Sequence, residues 1–280
     1  MARLFAISDL HVGYAANREA VDALPEHPED WLICAGDVGE TQQQLRWTLE
    51  RLTERFARVM WVPGNHELWT ASHCTLGLRG VERYERLVED ARKLGVLTPE
   101  DPYPHFEGHR ICPLFIGYDY SFAPDGVSDP LAWAREAGIV ATDEHLLHAD
   151  PHAHMRDWCA ARVRSTEARL EALPGPKVLI GHWPFRRDLV RLHKIPRYIP
   201  WCGTRATANW HLRFDAKVVV TGHLHMRATD WRDGVRFEEV AVGYPSHWRV
   251  ERGLAAYLRT ILPHPPGPAP QGDQGPEWHR

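Results

Sequence analysis

The chain has 280 residues, of which 44% are apolar and 25% are charged, as in a soluble globular protein. A net charge of −4 offers no basic footprint for nucleic acid, and no window approaches a membrane span, so neither is expected as a partner. The N-terminus enters a strand without the apolar segment and cleavage site of a signal peptide, which indicates a cytoplasmic protein. The 18 histidines are unusual and make metal chemistry a hypothesis worth testing.

The predicted elements alternate between strands and helices along the chain. Short apolar, β-branched or aromatic runs predict strands over 4–7, 31–35, 59–62, 177–180 and 218–220, and the run 111–122 predicts a strand that continues into a loop. An Asp233-Gly234 turn predicts a hairpin over 229–242. Apolar residues at helical spacing predict helices over 17–24, 41–56, 80–94 and 156–173, with a further helical segment over 186–193. This order predicts an α/β fold, a layered domain with a mixed sheet.

The domain is predicted to cover 1–262. Within it, 123–155 has mixed polarity with several prolines and glycines, and 194–210 contains two prolines, so both are interpreted as insertions near the site. Residues 263–280 are rich in Pro and Gly and have few side chains that could be buried. That composition predicts a disordered tail.

Five predicted strands are followed by a glycine or a small residue and then by side chains that can bind metal. The clearest case is 61–67, where Pro63 ends the strand because it cannot donate a ladder hydrogen bond, and Gly64 permits a tight turn. Open α/β sheets build their sites at the carboxyl ends of their strands. The residues at these five ends are Asp9 and His11, Asp37, Asn65 and His66, His182, and His223 and His225.

Seven of these side chains form a plausible ligand set: Asp9, His11, Asp37, Asn65, His182, His223 and His225. Mixed nitrogen and oxygen donors suit Fe, Mn, Zn, Co or Ni, and the lack of thiolate argues against a structural zinc. Seven ligands are too many for one ion and suit two ions that share a carboxylate. Two divalent ions about 3.5–4 Å apart can clamp the oxygens of an in-line phosphoryl displacement. Each residue alone has a simpler explanation as a turn or a hydrogen-bonded histidine, so the hypothesis depends on the ordered set.

The motif order D-x-H, G-D, G-N-H-E, G-H and G-H-x-H resembles that of the calcineurin-like metallophosphoesterase superfamily, over roughly 4–242. The resemblance implies a layered α/β/β/α domain in which mixed β-sheets are flanked by helices. It also implies two divalent metal ions, Mn and/or Fe, with Zn, Co or Ni as alternatives.

The same resemblance assigns a role to each residue. Asp9, His11 and His225 would hold the first ion, Asn65, His182 and His223 the second, and Asp37 would bridge them. A metal-bound hydroxide would attack phosphorus, and His66 would protonate the leaving oxygen. Glu40 occupies the place of an acidic residue that can orient His66, although a carboxylate at a helix start beside Thr41 is an equally good interpretation.

A closer resemblance narrows the substrate. The stretches 30–33, 58–69, 201–204 and 234–240 are similar to the phosphopantetheinyl hydrolases of actinobacteria, which remove 4′-phosphopantetheine from the serine of acyl carrier proteins. Holo acyl carrier protein is therefore the expected partner. The alternatives are a phosphodiesterase or phosphatase acting on a nucleotide or small metabolite, and, less favoured because the ligand set is complete, a non-catalytic scaffold.

Carrier proteins are typically acidic, so their docking surface should be basic. The densest basic run directly follows His182 and consists of Arg186, Arg187, Arg191, Lys194, Arg197 and Arg205. Four aromatic residues are candidate walls of a groove for the pantetheine arm: Trp183, Phe185, Tyr198 and Trp201. A solvated polar face for the arginines and a core position for the aromatic rings are the alternatives.

Overall fold

The structure, a computed structural model, describes residues 2–70, 77–267, 269–270 and 272–279. Residues 1 and 71–76 of the predicted domain, and 268, 271 and 280 of the predicted tail, lie outside the described residues. The strands are β1 Leu4–Ile7, β2 His27–Cys34, β3 Phe56–Trp61, β4 His105–Phe106, β5 His109–Pro113, β6 Lys177–Ile180, β7 Ala216–Thr221, β8 Ala228–Arg232, β9 Val235–Glu239, β10 Arg259–Leu262 and β11 Gln274–Trp278. The helices are α1 Ala15–Asp22, α2 Gln42–Arg55, α3 Asn65–Leu68, α4 Gly80–Lys93, α5 Pro130–Arg135, α6 Asp143–Leu146, α7 Met155–Glu171 and α8 Trp210–Arg213.

The strands form two mixed sheets. The first has the order β10-β1-β2-β3, in which β1, β2 and β3 are parallel and β10 is antiparallel to β1. The second has the order β11-β8-β9-β7-β6-β5-β4, with β5, β6, β7 and β9 parallel. Because the ligand-bearing strands run parallel to one another within each sheet, β1, β2 and β3 in the first and β6 and β7 in the second, their carboxyl ends can meet at one edge of the molecule.

The sheets pack face to face because side chains alternate along each strand. Leu4 and Ala6 of β1 belong to a fully buried cluster with Val178 and Val220 of the second sheet. The intervening Phe5 packs on the other face, in the cluster that holds the apolar sides of α1, α2 and α4. The outer face of the second sheet is covered by side chains of α7 and α8. The α/β/β/α layering expected from the sequence is confirmed. No helix within the described ranges is both long and apolar enough to cross a membrane.

The apolar run 111–122 was expected to be a strand that continues into a loop. The structure agrees, because β5 ends at Pro113 and the chain then leaves the sheet, reaching Gly117 in a left-handed conformation with φ of 82°. Its apolar side chains are buried without a strand, among them Phe115 and Phe122. The segment 186–193, which was predicted to be helical, contains only the 3-10 turn Arg187–Leu189.

The expected disorder of 263–280 is wrong for β11. This strand pairs antiparallel with β8, and the Nε2 atom of His279 lies 2.7 Å from the Thr229 hydroxyl. The backbone N–H of His279 also donates a hydrogen bond to the Arg227 carbonyl at 2.9 Å. Composition missed this strand because an edge position tolerates proline and needs little buried apolar surface.

Candidate metal centre

All seven predicted ligands converge at one edge of the two sheets. Asp9 and His11 follow β1, Asp37 follows β2, and Asn65 begins α3 directly after β3. His182 follows β6, and both His223 and His225 follow β7. Within this set the donor atoms of Asp9, His11 and His225 lie within 4.8 Å of one another, as do those of Asp37, His182 and His223.

The backbone is unusual at five of these seven residues. Asp9, His11, Asp37, His223 and His225 have φ values of 55°, 41°, 51°, 73° and 52°. Residues other than glycine rarely adopt positive φ, and each such conformation costs on the order of 1–3 kcal/mol. The surrounding packing must therefore impose these turns, which aim the side chains at a common point.

In the first cluster the donor atoms face one another at short range. The Nε2 atom of His225 lies 3.0 Å from Oδ1 of Asp9 and 3.2 Å from Nε2 of His11. The other oxygen of Asp9 accepts the backbone N–H of His223 at 3.0 Å. One carboxylate oxygen is thus held by the backbone while the other faces the histidines.

The second cluster is centred on His182. Its Nε2 atom lies 3.3 Å from Oδ2 of Asp37, 3.3 Å from Oδ1 of Asn65 and 3.2 Å from Nδ1 of His223. Its Nδ1–H donates to the carbonyl of Ala35 at 2.9 Å, which leaves Nε2 for the cluster. A backbone acceptor behind a histidine is the usual way of fixing the ring nitrogen that binds a metal.

Asp37 lies between the two clusters. Its Oδ2 atom is 3.3 Å from Nε2 of His182 and 3.8 Å from Nε2 of His66, and its carboxylate also groups with His11. Its Oδ1 atom accepts the backbone N–H of His66 at 3.0 Å. Burial alone would raise the pKa of Asp37, but His182 and His66 hold it well below its usual range. The anionic carboxylate of Asp37 therefore lies between the two clusters.

Two of the imidazoles are in the form that binds metal. Burial lowers the pKa of His11 to about 4, and burial together with His182 lowers the pKa of His223 to about 3. Both rings are therefore neutral near pH 7, and a neutral imidazole is the metal-binding species. Neutral imidazoles and the buried carboxylates of Asp9 and Asp37 together form a donor set that suits a divalent cation.

Three glycines are required by this close packing. A Cβ atom on Gly64 would collide with the carboxylate of Asp37, and one on Gly222 would collide with Asp9. A Cβ atom on Gly36 would lie 2.7 Å from Nδ1 of His182. The glycines before Asp37, Asn65 and His223 therefore let one loop approach the ligand of another loop.

His66 sits at the side of the cluster. Its Nε2 atom faces Oδ2 of Asp37, and its Nδ1 atom lies 3.4 Å from Oε1 of Glu40. Its ring is 3.7 Å from that of Trp69, centre to centre. Burial alone would lower the pKa of His66, but Asp37 and Glu40 outweigh it and raise the pKa. The structure thus brings Glu40 next to His66, as the sequence suggested.

Asp143, at the start of α6, is a site residue that sequence reasoning missed. Its buried Oδ1 atom accepts the Asn65 amide at 3.0 Å and the Trp69 indole N–H at 2.8 Å. Because the amide nitrogen of Asn65 donates to Asp143, the amide oxygen of Asn65 must face His182. The region 123–155 was singled out in the sequence only as a segment near the site, and no motif marked Asp143 within it.

Glu67 was quoted in the G-N-H-E motif but given no role. Its carboxylate accepts three backbone N–H groups, those of Gly64, Asp37 and Val38, at 2.8, 3.0 and 2.6 Å. These bonds join the loop after β2 to the loop after β3. Through these backbone hydrogen bonds, Glu67 fixes the position of Asp37 relative to Asn65.

Two further residues missed in the sequence cover the first cluster. The Nδ1 atom of His247 is 3.0 Å from Nδ1 of His225. The ring of Tyr244 lies 4.6 Å from that of His11 and 4.9 Å from that of His225. Both belong to the loop beyond the predicted hairpin, where the sequence offers only a Gly-Tyr-Pro turn pattern.

The predicted basic surface is not brought together as a free positive face. Arg191 makes a bidentate pair with buried Asp230 at 2.6 and 2.8 Å. Arg186 pairs with Asp188 at 2.9 Å, and Arg187 donates to the Phe122 carbonyl at 2.6 Å. Arg197 pairs with Glu136, and Arg205 pairs with Asp125. Lys194 has no such ion pair among the described residues. Apart from Asp188, the acidic partners of these arginines are distant along the chain, so residue spacing does not predict them.

Trp201 is almost fully buried and is not an exposed groove wall. Its indole N–H donates to Glu144 at 2.7 Å, and its ring packs beside Tyr198 and Tyr120. Tyr198 in turn lies 6.3 Å from the ring of His223. The aromatic group thus supports the second cluster from the side, with Tyr198 nearest to it.

Comparisons with known proteins agree with this geometry. The family model described as calcineurin-like phosphoesterase matches residues 2–227. The chain is 46% identical to the [acyl-carrier-protein] phosphodiesterase PptH of Mycobacterium tuberculosis, over 94% of this chain and 84% of that protein. The crystal structure of phosphopantetheinyl hydrolase (PptH) from the same organism superimposes with a TM-score of 0.90, covering 94% of this chain and 97% of that one.

The chain therefore belongs to the calcineurin-like phosphoesterase family. It is a hydrolase of phosphoric esters, and its aspartate and histidine clusters form a divalent metal site.

We predict that Asp143→Ala weakens metal binding without unfolding the chain. Loss of the acceptor frees the Asn65 amide to rotate, and loss of such an outer partner typically costs about 10–100-fold in metal affinity. Titration of the metal-free chain with Mn²⁺ measures the effect. Asp129→Ala, at the exposed start of α5, is the matched control. Unchanged affinity in Asp143→Ala would show that Asn65 needs no such support.

Proposed function

We propose that this chain removes 4′-phosphopantetheine from the serine of holo acyl carrier proteins by hydrolysing the phosphodiester between them. The observation that carries the proposal is its 46% identity, over 94% of the chain, to a protein named as an acyl-carrier-protein phosphodiesterase. The convergence of carboxylates and imidazoles around the Asp37 carboxylate supports the same reaction class.

We further propose that two ions bind, with Asp37 between them. Asp9, His11 and His225 are the ligands proposed for one ion, and Asn65, His182 and His223 for the other. The donors are all nitrogen or oxygen, which favours Mn or Fe, with Zn, Co and Ni as alternatives. The bound ions would polarise the phosphate and lower the pKa of the attacking water.

The proposed role of His66 is to donate a proton to the leaving serine oxygen. Its Nδ1 atom lies beside the Glu40 carboxylate, so the Nε2 proton is the one directed at the centre. Its raised pKa keeps the imidazole protonated to a higher pH than usual, as a general acid requires. Glu40 is a positioning residue in this proposal, since it acts through His66.

The proposed reaction is tested by mass spectrometry of a holo carrier protein incubated with the chain and Mn²⁺. We expect the carrier to lose its prosthetic group and phosphopantetheine to appear in solution. His66→Asn should retain its metal but slow this cleavage by about 10²–10⁴-fold, because the serine alkoxide is a poor leaving group. The variant should lose less on a diester of p-nitrophenol, whose leaving group needs no proton.

His105→Asn, an exposed histidine on β4, is the matched control and should behave as the wild type. An intact carrier after incubation with metal-loaded enzyme would refute the proposed substrate. Equal turnover in His66→Asn would remove the proton donor from the mechanism.

The partnership of Glu40 and His66 predicts a shift in the pH profile. The Glu40 carboxylate helps to raise the pKa of His66, so Glu40→Gln lowers that pKa and the acid loses its proton at lower pH. The basic limb of kcat should therefore move to lower pH while the acidic limb stays in place. Glu29→Gln, an exposed carboxylate on β2, serves as the control. A basic limb that does not move in Glu40→Gln would contradict the assigned role.

A further inference from the structure

The position of His66 determines which side of the centre faces the protein part of the substrate. In an in-line displacement the leaving oxygen points to the general acid, and under the proposed function that oxygen belongs to the carrier serine. The pantetheine stays on the phosphate and extends elsewhere. This inference rests on the proposed function, and it places the carrier protein on the His66 side of the metal centre.

The surface on that side is aromatic. The ring of His66 lies 4.7 Å from that of His11, which lies 4.6 Å from Tyr244. Tyr244 is followed outward by Tyr14 at 5.5 Å, and the side chain of Tyr14 is 49% exposed. A path of rings in edge-on and tilted contact thus runs from the proton donor to an exposed tyrosine at the protein surface.

This surface is held rigidly. The buried amide of Asn17, in α1, donates to the carbonyls of Leu10 and Gly243 at 2.8 and 2.9 Å. Its oxygen accepts the Trp248 indole N–H at 3.1 Å. These bonds join α1, which follows Tyr14, to the loop that carries Tyr244. A partner would therefore meet a preorganised surface and lose little entropy in ordering it.

Three cations surround these tyrosines. Arg18 is one helical turn from Tyr14 and stacks over Trp47 at 4.2 Å. Arg249 is exposed two residues beyond His247, and Lys194 is close enough to join burial and His225 in lowering the pKa of His247. Among the residues that the structure describes, no carboxylate lies within ion-pair distance of Arg18, Lys194 or Arg249.

We propose that these five residues, Tyr14, Arg18, Lys194, Tyr244 and Arg249, form the docking surface for an acidic carrier protein. We call this surface the tyrosine rim. No carboxylate in the described part of the chain pairs with its cations, so they can meet the carboxylates of the partner. The arginines that follow His182 differ because Arg186 and Arg191 already pair with aspartates of this chain. The exposed ring of Tyr14 supplies apolar contact beside the modified serine.

The test is a double charge reversal, Arg18→Glu with Arg249→Glu. With holo carrier protein as substrate, we expect kcat/KM to fall by about tenfold or more, mainly through KM, because surface charges steer association. With bis(p-nitrophenyl) phosphate, which has no protein part, we expect a change of less than about twofold. Added salt should slow the wild type on carrier protein but leave the double variant nearly unaffected.

The matched control is the double reversal Arg135→Glu with Arg164→Glu, two exposed arginines on α5 and α7 that lie outside the tyrosine rim. It should leave both substrates unaffected. Should Arg18→Glu unfold the chain through loss of its stacking on Trp47, Lys194→Glu tests the same surface, since Lys194 makes no such contact among the described residues.

The outcomes separate the two proposals. A wild-type enzyme that leaves the carrier intact overturns the proposed function and this surface together. A wild-type enzyme that cleaves the carrier, with a folded double variant that cleaves it equally fast, overturns the tyrosine rim alone. Equal loss on carrier protein and on the small diester would also overturn the rim, because it would trace the defect to the metal centre.

Discussion

The structure depends on one buried carboxylate. Asp37 is surrounded by His11, His66 and His182, and its burial would be costly without positive charge nearby. The imidazoles offset part of that cost, and divalent ions would offset far more. Glu67 adds a second buried carboxyl group behind it, tied to three backbone N–H groups, and burial together with Asp37 raises its pKa to about 7. The buried, anionic carboxylates of Asp37 and Asp9 explain why this edge of the sheets attracts cations.

The loops around Asp37 are built to tolerate this concentration of polar groups. Asp37 and His223 have positive φ, and each is preceded by a glycine whose missing Cβ atom leaves room for the ligand of a neighbouring loop. The cost of these strained turns is offset by the two packed sheets beneath them, whose shared core is fully buried. The rigid sandwich thus holds a locally unfavourable geometry, which is how functional sites commonly retain strain.

The sequence predicted the parts of this site that follow a local rule. A buried strand, a glycine and a polar residue form a local pattern, so the five strand ends and the hairpin at Asp233-Gly234 could be found. Asp143 could not, because its role arises from a contact with Asn65 that is 78 residues away. The pairing of Arg191 with Asp230 and the docking of β11 on β8 are likewise long-range contacts. Local composition therefore suggested a free basic surface and a disordered tail, whereas in the structure Arg191 pairs with an aspartate and part of the tail forms β11.

The most direct measurement is an anomalous X-ray difference map of crystals grown with Mn²⁺. We predict two peaks about 3.5–4 Å apart, with one oxygen of Asp37 between them and His182 and His225 on opposite ions. A single peak, or two peaks of which Asp37 touches only one, would contradict the claim that this carboxylate unites the two halves of the site.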